Sequence, residues 1–431
     1  METLLLKGAR YLDPSNSCDE IGDILIQEGK IARIGGKIAC ESAQLVPAQG
    51  LVAAPGLVDA HVHLRDPGFT EKEDILTGCR AAAAGGVTSL LCMPNTNPAV
   101  DTPETVHYIL KKAEQADARV YVAAAITKGL KSEEPADYRA LKEAGAIALS
   151  DDGRPVENTA FMANAMRQAA ELGLHVMSHC EDLFLSQGGK LNEGQVSAQL
   201  GVRGVPAAAE DCGTAREIAL AAAYSVPVHI CHVSTKTSVE LIRDAKRRGV
   251  PVTAETAPHY FALTEQELRK RDADYRMSPP LRTEEDRLAV IQGIRDGTID
   301  LIATDHAPHT PEEKADFLSA PNGSIGMETS LAAGITFLVQ PGFLTLGELI
   351  QKMSTTPAQL LGIPAGTLSQ GAPADLVLFA PEERWTVDTA RLHGKSRNAV
   401  LKNRTLTGKV KLTICRGKIV YRDEPQDKQV K

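Results

Sequence analysis

The sequence predicts an α/β protein whose main part is a (β/α)8 TIM barrel, with a small β domain built from both chain ends. The barrel is predicted by eight apolar β-like runs that alternate with helix-forming segments over about 300 residues, the pattern of parallel strands joined by helices. A doubly wound open sheet is the alternative. It is disfavoured because the chain has no glycine-rich turn of the GxGxxG or GxxxxGK[ST] type.

The predicted strands and helices fill the middle of the chain. The strands are the apolar runs Gly56–Leu64, Val87–Pro94, Arg119–Ile126, Ala146–Asp152, His175–Glu181, Val226–Ser234, Val250–His259 and Ile299–His309. The stretches between them are rich in helix-forming residues and include Asp74–Ala84, Thr105–Ala116, Pro155–Glu171, Ala208–Ala223, Thr237–Arg248 and Glu284–Arg295. Eight such units are the number that a closed barrel needs.

The two chain ends consist of short β-like runs around tight turns. Gly29 and Gly417 each lie in a run of similar sequence, which predicts one hairpin at each end. Neither end has enough apolar surface to form a core alone, so we expect the ends to pair. The predicted division is a small β domain of residues 1–55 with 365–431 and a barrel of residues 56–364.

The composition excludes several classes of protein. The chain has 431 residues, 43% hydrophobic and 24% charged, which suits one large domain and a smaller one. Its net charge of −8 offers no basic surface for nucleic acid, and no apolar run could span a membrane. The first residues do not resemble a signal peptide. None of the eight cysteines forms a CxxC pair, so reduced thiols and a cytoplasmic location are expected.

Metal-ligating residue types gather at the ends of the predicted strands. His61 and His63 end the first strand, and residues two apart on a strand point to the same side. The other strand-end donors are Asp152, His179, His232 and Asp305. Barrel active sites lie at the carboxyl ends of the strands, so the six side chains are expected to converge on one metal-dependent hydrolase site.

Imidazole and carboxylate donors suit zinc, and also manganese, cobalt or iron. One catalytic zinc usually takes three protein ligands and a water molecule, so six donors predict two Zn²⁺ ions per subunit. In this interpretation Asp152 bridges the two ions, since a carboxylate has two oxygens. The first ion is assigned to His61, His63 and Asp305, and the second to His179 and His232.

Several neighbours of these donors receive other interpretations. His229 lies within its strand and is predicted to be structural. Cys180 and Cys231 adjoin predicted ligands and should point away from them, because neighbours on a strand face opposite sides. His259 ends the seventh strand, where both direct ligation and a supporting role remain open.

Four motifs carry a resemblance to a known family. They are His61–Gly68, Met93–Thr96, Ser150–Gly153 and Ala303–His309. Together they resemble the bacterial class I dihydroorotases of the amidohydrolase superfamily, over nearly the whole chain. The resemblance implies reversible, zinc-dependent cyclisation of N-carbamoyl-L-aspartate to L-dihydroorotate in de novo pyrimidine (UMP) biosynthesis.

The resemblance also implies roles for single residues. Asp305 is implied as the general acid and base besides being a metal ligand. Arg65, Asn95 and His309 are implied to bind the free carboxylate of the substrate, for which an arginine fork is suited. Related hydrolases often carry a bridging, carbamylated lysine on the fourth strand. This chain has Asp152 there instead, as in the dihydroorotase branch that bridges with aspartate.

Two positions depart from the commonest pattern of the family. Ser278 stands where asparagine is usual, and Asn322 stands where phenylalanine is common. Ser278, Asn322 and Gly323 are retained as substrate contacts, the last two through backbone groups. The long polar loop 309–326 follows the eighth strand and is expected to form a lid over the site mouth.

Two other functions remain open alternatives. One is a related cyclic amidase that acts on hydantoins, dihydropyrimidines or allantoin. The other is a non-catalytic, dihydroorotase-like partner of aspartate transcarbamoylase, against which the full ligand set argues. The sequence predicts a small-molecule substrate and neither nucleic-acid nor membrane partners. It leaves open a homodimer and a transcarbamoylase partner.

Overall fold

The computed structural model describes residues 3–423. Its strands are β1 (Leu4–Asp13), β2 (Cys18–Gln27), β3 (Lys30–Ile34), β4 (Gln44–Pro47), β5 (Val52–Pro55), β6 (Leu57–Val62), β7 (Val87–Cys92), β8 (Arg119–Ala125), β9 (Ala146–Ser150), β10 (His175–Ser178), β11 (Leu191–Asn192), β12 (Gly204–Val205), β13 (Val228–Ile230), β14 (Val252–Thr256), β15 (Leu301–Ile302), β16 (Leu376–Thr386), β17 (Thr405–Cys415) and β18 (Lys418–Arg422).

Helices separate most of these strands. They are α1 (Ile75–Ala84), α2 (Pro103–Ala113), α3 (Tyr138–Glu143), α4 (Thr159–Leu172), α5 (Leu183–Ser186), α6 (Gln195–Leu200), α7 (Ala207–Tyr224), α8 (Lys236–Arg247), α9 (Pro258–Ala262), α10 (Glu284–Arg295), α11 (Ser330–Gly334), α12 (Leu346–Ile350) and α13 (Thr356–Leu361). Within residues 3–423, none of these helices is both long and apolar enough to cross a bilayer.

Eight parallel strands form a nearly closed barrel, as the alternation of strands and helices predicts. Their order around the barrel is β6-β7-β8-β9-β10-β13-β14-β15. The first and last strands approach each other, and the backbone N–H of His63 donates a 2.8 Å hydrogen bond to the carbonyl of His306. The predicted TIM barrel is therefore confirmed, and the open-sheet alternative is wrong.

Small apolar side chains fill the barrel interior. They include Val58, Ala60, Leu91, Ala123, Ala148, Met177, Leu301 and Ala303, all buried. A larger core lies between the strands and the outer helices. The interior is packed, as in other TIM barrels, and the candidate site lies at the ends of the strands.

The last barrel strand is shorter than predicted. The sequence predicts a strand over Ile299–His309, whereas β15 covers only Leu301–Ile302. Thr304 turns away from the strand ladder, because its N–H and hydroxyl donate to Asp59, at 3.0 and 2.6 Å. Asp305 then adopts a left-handed φ of 48°, which ends the extended conformation.

Strands from both chain ends form one sheet of order β18-β17-β16-β5-β1-β2-β3, with β4 beside β1. Both predicted hairpins are present, with Gln27 opposite Lys30 and Cys415 opposite Lys418. Gly29, at the first turn, has a φ of 74°, a conformation that glycine adopts freely. The sheet has its own core, which includes Leu4, Leu6, Ile24, Ile26, Leu376, Leu378, Leu412 and Ile414.

This sheet is joined to the barrel by specific contacts. The N–H of Gly56 donates to the carbonyl of Asp375 at 2.9 Å, and the Thr413 hydroxyl donates to the carbonyl of Ala83 at 2.6 Å. The Arg119 guanidinium pairs with the Asp375 carboxylate at 2.7 Å. The domain boundaries at residues 55/56 and 364/365 stay a prediction, and residues 1–2 and 424–431 lie outside the described part.

Candidate metal centre

Two imidazoles from one strand end form the first part of the centre. His61 lies near the end of β6, and His63 directly follows that strand. Their Nε2 atoms approach carboxylates from two other strand ends. His63 Nε2 lies 3.0 Å from Asp305 Oδ1, and His61 Nε2 lies 3.3 Å from Asp152 Oδ1. Residues two apart on a strand share a face, which explains why both rings point inwards.

Two further imidazoles lie on the other side of Asp152. Asp152 Oδ1 is 3.6 Å from His179 Nδ1 and 3.5 Å from His232 Nε2, whereas Oδ2 is 3.5 Å from His63 Nε2. His179 Nδ1 and His232 Nε2 are 2.9 Å apart. Asp152 therefore stands between the two histidine pairs, after the end of β9.

The donor set fits a divalent transition metal. His61 Nε2 is buried without a hydrogen-bond partner, although it faces two carboxylates. Ligand atoms lie within 4.8 Å of one another in two overlapping groups, His61 with His63 and Asp305, and His61 with Asp152 and His232. Buried imidazole nitrogens and carboxylate oxygens in such groups are the ligands of zinc and its neighbours in the periodic table.

Electrostatics couple the members of this cluster. Burial alone would raise the pKa of Asp152, but His61, His179 and His232 lower it well below its ordinary value. Burial lowers the pKa of His179, whereas Asp152 and Glu181 together raise it to about 10. A metal ligand must be an unprotonated nitrogen, so metal ions compete with protons for these imidazoles.

Asp305 is the second carboxylate of the cluster. It is 7% exposed and comes from the loop after β15. Burial raises its pKa, but His63, His61 and His232 lower the pKa more strongly, so the group is an ionised carboxylate at neutral pH. Such a group can both hold a metal and accept a proton.

Arg65 lies beside this carboxylate, but it does not arrive there along a continuing strand. Strand β6 ends at Val62, and Arg65 has a left-handed φ of 61°. Its Nε donates to the carbonyl of Pro308 at 3.1 Å. Within residues 3–423 the guanidinium has no carboxylate within the ion-pairing distance of 4.0 Å. The loss of surrounding water lowers its pKa to about 10.

His309 and the segment after it lie against this guanidinium. Arg65 Nη2 is 3.3 Å from His309 Nε2, which is 2.9 Å from the carbonyl oxygen of Asn322. Burial and the neighbouring Arg65 lower the pKa of His309 to about 3, so its imidazole is neutral. The Asn322 side chain turns away and accepts from Arg276 at 3.2 Å, and the Gly323 N–H donates to the carbonyl of Arg276 at 2.9 Å.

Asn95 and Ser278 are the remaining predicted substrate contacts. Asn95 Oδ1 lies 2.8 Å from His63 Nδ1, and its Nδ2 donates weakly to Asp152 Oδ2 at 3.5 Å, so Asn95 supports two metal-site residues. Ser278 is half-buried. Around it, Tyr260 donates to the carbonyl of Pro279 at 2.7 Å. His259 is buried with an unpartnered Nε2 but belongs to neither group of ligand atoms.

Sequence reasoning missed two carboxylates that contact the ligand histidines. Glu255 Oε1 lies 2.8 Å from His61 Nδ1, and Glu181 Oε2 lies 2.9 Å from His179 Nε2. Glu255 could have been found, because it is a carboxylate inside an apolar strand, β14. His229, interpreted as structural, lies 3.2 Å from the second oxygen of Glu255.

The orientation predicted for Cys231 is wrong. Its sulfur lies within 4.8 Å of ligand atoms of both His61 and Glu255, in the barrel interior. The alternation rule fails here because β13 ends at Ile230 and His232 adopts a left-handed φ of 38°. Cys231 and His232 can therefore both face inwards.

Comparisons with known proteins agree with this geometry. A family model described as dihydro-orotase-like matches residues 50–238, and another described as amidohydrolase family matches residues 293–421. The chain is 47% identical to a dihydroorotase from Acetivibrio thermocellus, over 98% of this chain and 99% of the relative. The chain belongs to the dihydroorotase family. A dihydroorotase from Geobacter metallireducens is 48% identical over 97% of this chain and 99% of the relative.

Solved structures similar to this dihydroorotase family member share its whole fold. An L-hydantoinase (dihydropyrimidinase) from Arthrobacter aurescens is 25% identical, with a TM-score of 0.89 over 99% of this chain and 97% of that one. A dihydropyrimidinase from Brevibacillus agri is 25% identical, with a TM-score of 0.85 over 97% of this chain and 95% of that one. The barrel with its additional sheet is thus common to this chain and these cyclic amidases.

Proposed function

We propose that this dihydroorotase family member interconverts L-dihydroorotate and N-carbamoyl-L-aspartate, the third reaction of pyrimidine synthesis. The observation that carries the proposal is the half-buried guanidinium of Arg65 beside the metal cluster. Among the described residues it has no counter-charge within 4.0 Å, and a half-buried charge of this kind favours a ligand of opposite charge. A carboxylate on the ligand is the complementary group, and both dihydroorotate and carbamoyl-aspartate carry one next to the reacting nitrogen.

The cofactor is proposed to be Zn²⁺, two ions per subunit with Asp152 as the bridge. His61, His63 and Asp305 would hold one ion, and His179 and His232 the other. A bound divalent metal polarises a carbonyl and lowers the pKa of water, which supplies a nucleophile at neutral pH. The position of Asp152 between the two histidine pairs, within 3.6 Å of each pair, supports this assignment.

The chain's own residues would orient the substrate and move the proton. Arg65 would pair with the substrate carboxylate, with Asn95, Ser278, His309 and the Asn322–Gly323 backbone around the ring. Asp305 is ionised and 3.0 Å from His63 Nε2, so its second oxygen remains available as a base. In ring opening Asp305 would accept a proton from the attacking water and deliver it to the leaving ring nitrogen. In ring closure it would remove the proton from the carbamoyl nitrogen and return it to the oxygen that leaves as water.

A related cyclic amidase activity is the second candidate, because solved hydantoinases share the fold over 99% of this chain. Two features disfavour it. The substrates of that candidate, such as dihydrouracil and allantoin, lack the carboxylate that Arg65 would bind. Strand β9 also ends in Ser150 and is followed by Asp151 and Asp152, with no lysine in the bridging position.

One set of assays tests the proposal. The purified full-length chain is loaded with Zn²⁺, its metal is counted by mass spectrometry, and its rates are compared on L-dihydroorotate, dihydrouracil and allantoin. We expect metal-dependent opening of dihydroorotate at least a hundredfold faster than of the other two, and closure of carbamoyl-aspartate at lower pH. A faster rate on dihydrouracil or allantoin, or no metal in the protein, would overturn it.

Three further predictions accompany this function. The first concerns assembly, as a homodimer or with aspartate transcarbamoylase. Gel filtration of the protein alone and mixed with a transcarbamoylase distinguishes both assemblies from a monomer that acts alone. A cytoplasmic location suits an enzyme of nucleotide synthesis. The division into a barrel and a composite β domain is supported by the contacts between β5 and β16, where Leu376 lies opposite Pro55.

A further inference from the structure

A buried carboxylate stands behind His61, on the side of the ring away from the metal cluster. Glu255 Oε1 lies 2.8 Å from His61 Nδ1. Its other oxygen lies 3.2 Å from His229 Nε2, an ion-pair distance without hydrogen-bond geometry. Thr253 Oγ1 lies 2.8 Å from His229 Nδ1. Glu255 and His229 are each 1% exposed, so water cannot take the place of either side chain.

The contact with Glu255 determines which nitrogen of His61 is free. A carboxylate oxygen accepts hydrogen bonds, so the 2.8 Å contact is a hydrogen bond from His61 Nδ1–H to Glu255 Oε1. This tautomer leaves the lone pair on Nε2. That Nε2 is the atom 3.3 Å from Asp152 and 3.8 Å from Asp305. A ligand histidine is commonly oriented by such a partner on its second nitrogen.

We infer that Glu255, supported by His229, is a positioning residue that fixes the tautomer and orientation of His61 and thereby strengthens metal binding by the centre. The inference rests on the metal centre of the proposed function, in which His61 is a ligand. His229 Nε2 lies 3.2 Å from the second oxygen of Glu255, inside the barrel, where a carboxylate without polar neighbours would be costly.

The chain offers an internal comparison for this role. Glu181 contacts His179 Nε2 at 2.9 Å, much as Glu255 contacts His61. The Glu181 side chain is 16% exposed, against 1% for Glu255. Charge-assisted hydrogen bonds are stronger where water is excluded, so Glu255 should contribute more to metal affinity than Glu181.

The decisive experiment compares Glu255→Gln with Glu181→Gln in the full-length protein. Zn²⁺ affinity is measured by competition with a chromophoric chelator, and the visible absorption of the Co²⁺-loaded protein reports ligand geometry. Glutamine keeps the size and an acceptor oxygen but removes the charge. We expect Glu255→Gln to lose about tenfold or more in Zn²⁺ affinity and to change the Co²⁺ spectrum. Glu181→Gln should lose less.

Thermal unfolding separates this role from simple structural support. A positioning role lowers Zn²⁺ affinity in a protein whose metal-free melting temperature is nearly unchanged. Unaltered Zn²⁺ affinity and an unaltered Co²⁺ spectrum in folded Glu255→Gln would overturn the inference. It would also be overturned if Glu181→Gln lost as much Zn²⁺ affinity as Glu255→Gln, or more.

A second variant covers the case in which Glu255→Gln does not fold. His229→Gln leaves Glu255 in place and keeps a hydrogen-bond donor near its second oxygen, but removes the imidazole. We expect about a threefold to tenfold loss of Zn²⁺ affinity, smaller than the roughly 10–100-fold range for a direct partner of a metal ligand, because His229 acts through Glu255. Wild-type affinity in His229→Gln would contradict the support assigned to His229.

These measurements need no substrate, so they are independent of the reaction. A wild-type protein that binds Zn²⁺ and loses it on Glu255→Gln, but does not open dihydroorotate, would overturn the proposed function alone. A protein that opens dihydroorotate with Zn²⁺ but binds it equally well in wild type and Glu255→Gln would overturn this inference alone.

Discussion

Three functional side chains depend on single residues in a left-handed conformation. Arg65, His232 and Asp305 have φ values of 61°, 38° and 48°. This conformation costs a residue with a side chain about 1–2 kcal/mol, and such residues concentrate at functional sites. Each follows shortly after a barrel strand, where the change of direction turns the side chain over the open end of the barrel.

Asp305→Asn tests the proton transfer assigned to this carboxylate. The amide cannot accept the proton, so kcat for ring opening should fall by about 10²–10⁴-fold, the usual contribution of a general acid or base. Bound metal should be largely retained, because the other donors remain. The assays are steady-state kinetics and metal analysis of the same preparation.

Asp244→Asn is the matched control, since Asp244 is an exposed carboxylate on α8 whose ion-pair partners within residues 3–423 are Arg247 and Arg248. Its turnover should equal that of wild type. Near-normal turnover in Asp305→Asn would remove Asp305 from the proton transfer.

The alternation rule predicts some of these residues and not others. It applies while the chain is a strand, so it correctly pairs His61 with His63, whose Nε2 atoms share Asp305 as a neighbour. It fails at Cys231, because the strand has ended. Glu255 was missed for a different reason, since its role depends on a contact with β6, 194 residues away in sequence.

At the scale of elements, the loop after β15 is fixed to the neighbouring segment by two buried cations. Lys314 donates to the carbonyls of Ala273, Arg276 and Pro321, at 3.1, 3.3 and 2.8 Å. Arg276 donates to the carbonyl of Phe317 at 2.8 Å. These contacts hold the Asn322–Gly323 backbone against His309, so the predicted lid is anchored along part of its length.

Lys314→Met tests whether this anchoring matters for substrate binding. Methionine has a similar volume but no donors, so the Asn322–Gly323 backbone loses its support. We expect KM for dihydroorotate to rise about tenfold, which corresponds to about 1.4 kcal/mol and lies within the range for hydrogen bonds to a charged group. The effect on kcat should be smaller.

Lys128→Met is its control, because Lys128 is an exposed lysine whose side chain is 61% accessible and, in the described part of the chain, pairs with Glu134 alone. Its KM should be unchanged. An unchanged KM in Lys314→Met would show that the loop needs no such anchor.

Lys314 also predicts a pH effect on stability. Burial lowers its pKa from 10.5 to about 7, so between these values the unfolded chain binds a proton that the folded chain does not. The free energy of unfolding therefore gains from Lys314 as pH rises through this window, and the gain is lost as pH falls through about 7. Urea titrations should show a smaller rise of stability over this window in Lys314→Met than in wild type.

At the scale of the whole molecule, the chain ends and the barrel share packing. Ile414 is fully buried in the core of the composite sheet, opposite Leu376 on β16. Leu412, two residues earlier on β17, belongs to the same core. Thr413 lies between them and points to the barrel, where its hydroxyl donates to the carbonyl of Ala83. Strand β17 therefore contacts both the core of the terminal sheet and the barrel.

Ile414→Ala should destabilise the protein by about 2–5 kcal/mol, the range for removing a large buried aliphatic side chain. Urea unfolding followed by circular dichroism measures this. Leu45→Ala, at a site 61% exposed on β4, should cost less than about 0.5 kcal/mol. Equal stability of the two variants would contradict the burial of Ile414 in the core of this sheet.

Fold and site were predictable to different extents for physical reasons. The alternation of apolar runs and helices specifies a barrel, because strand and helix periods are local properties of the sequence. The short β15 was not predictable, because Asp59, far away in sequence, binds Thr304 and ends the strand. Likewise the reach of Arg65 to Pro308 depends on a turn, which the strand pattern does not describe.

The substrate preference of Arg65→Met tests the carboxylate-binding role of Arg65 most directly. Its kcat/KM is measured on L-dihydroorotate and on dihydrouracil, which lacks the carboxylate, with the metal content of each preparation checked. We expect kcat/KM for dihydroorotate to fall by about 10²–10³-fold, about 3–4 kcal/mol for the loss of one partner of a charge pair, while that for dihydrouracil changes little. An undiminished kcat/KM on dihydroorotate, in a protein with its full metal, would contradict this role.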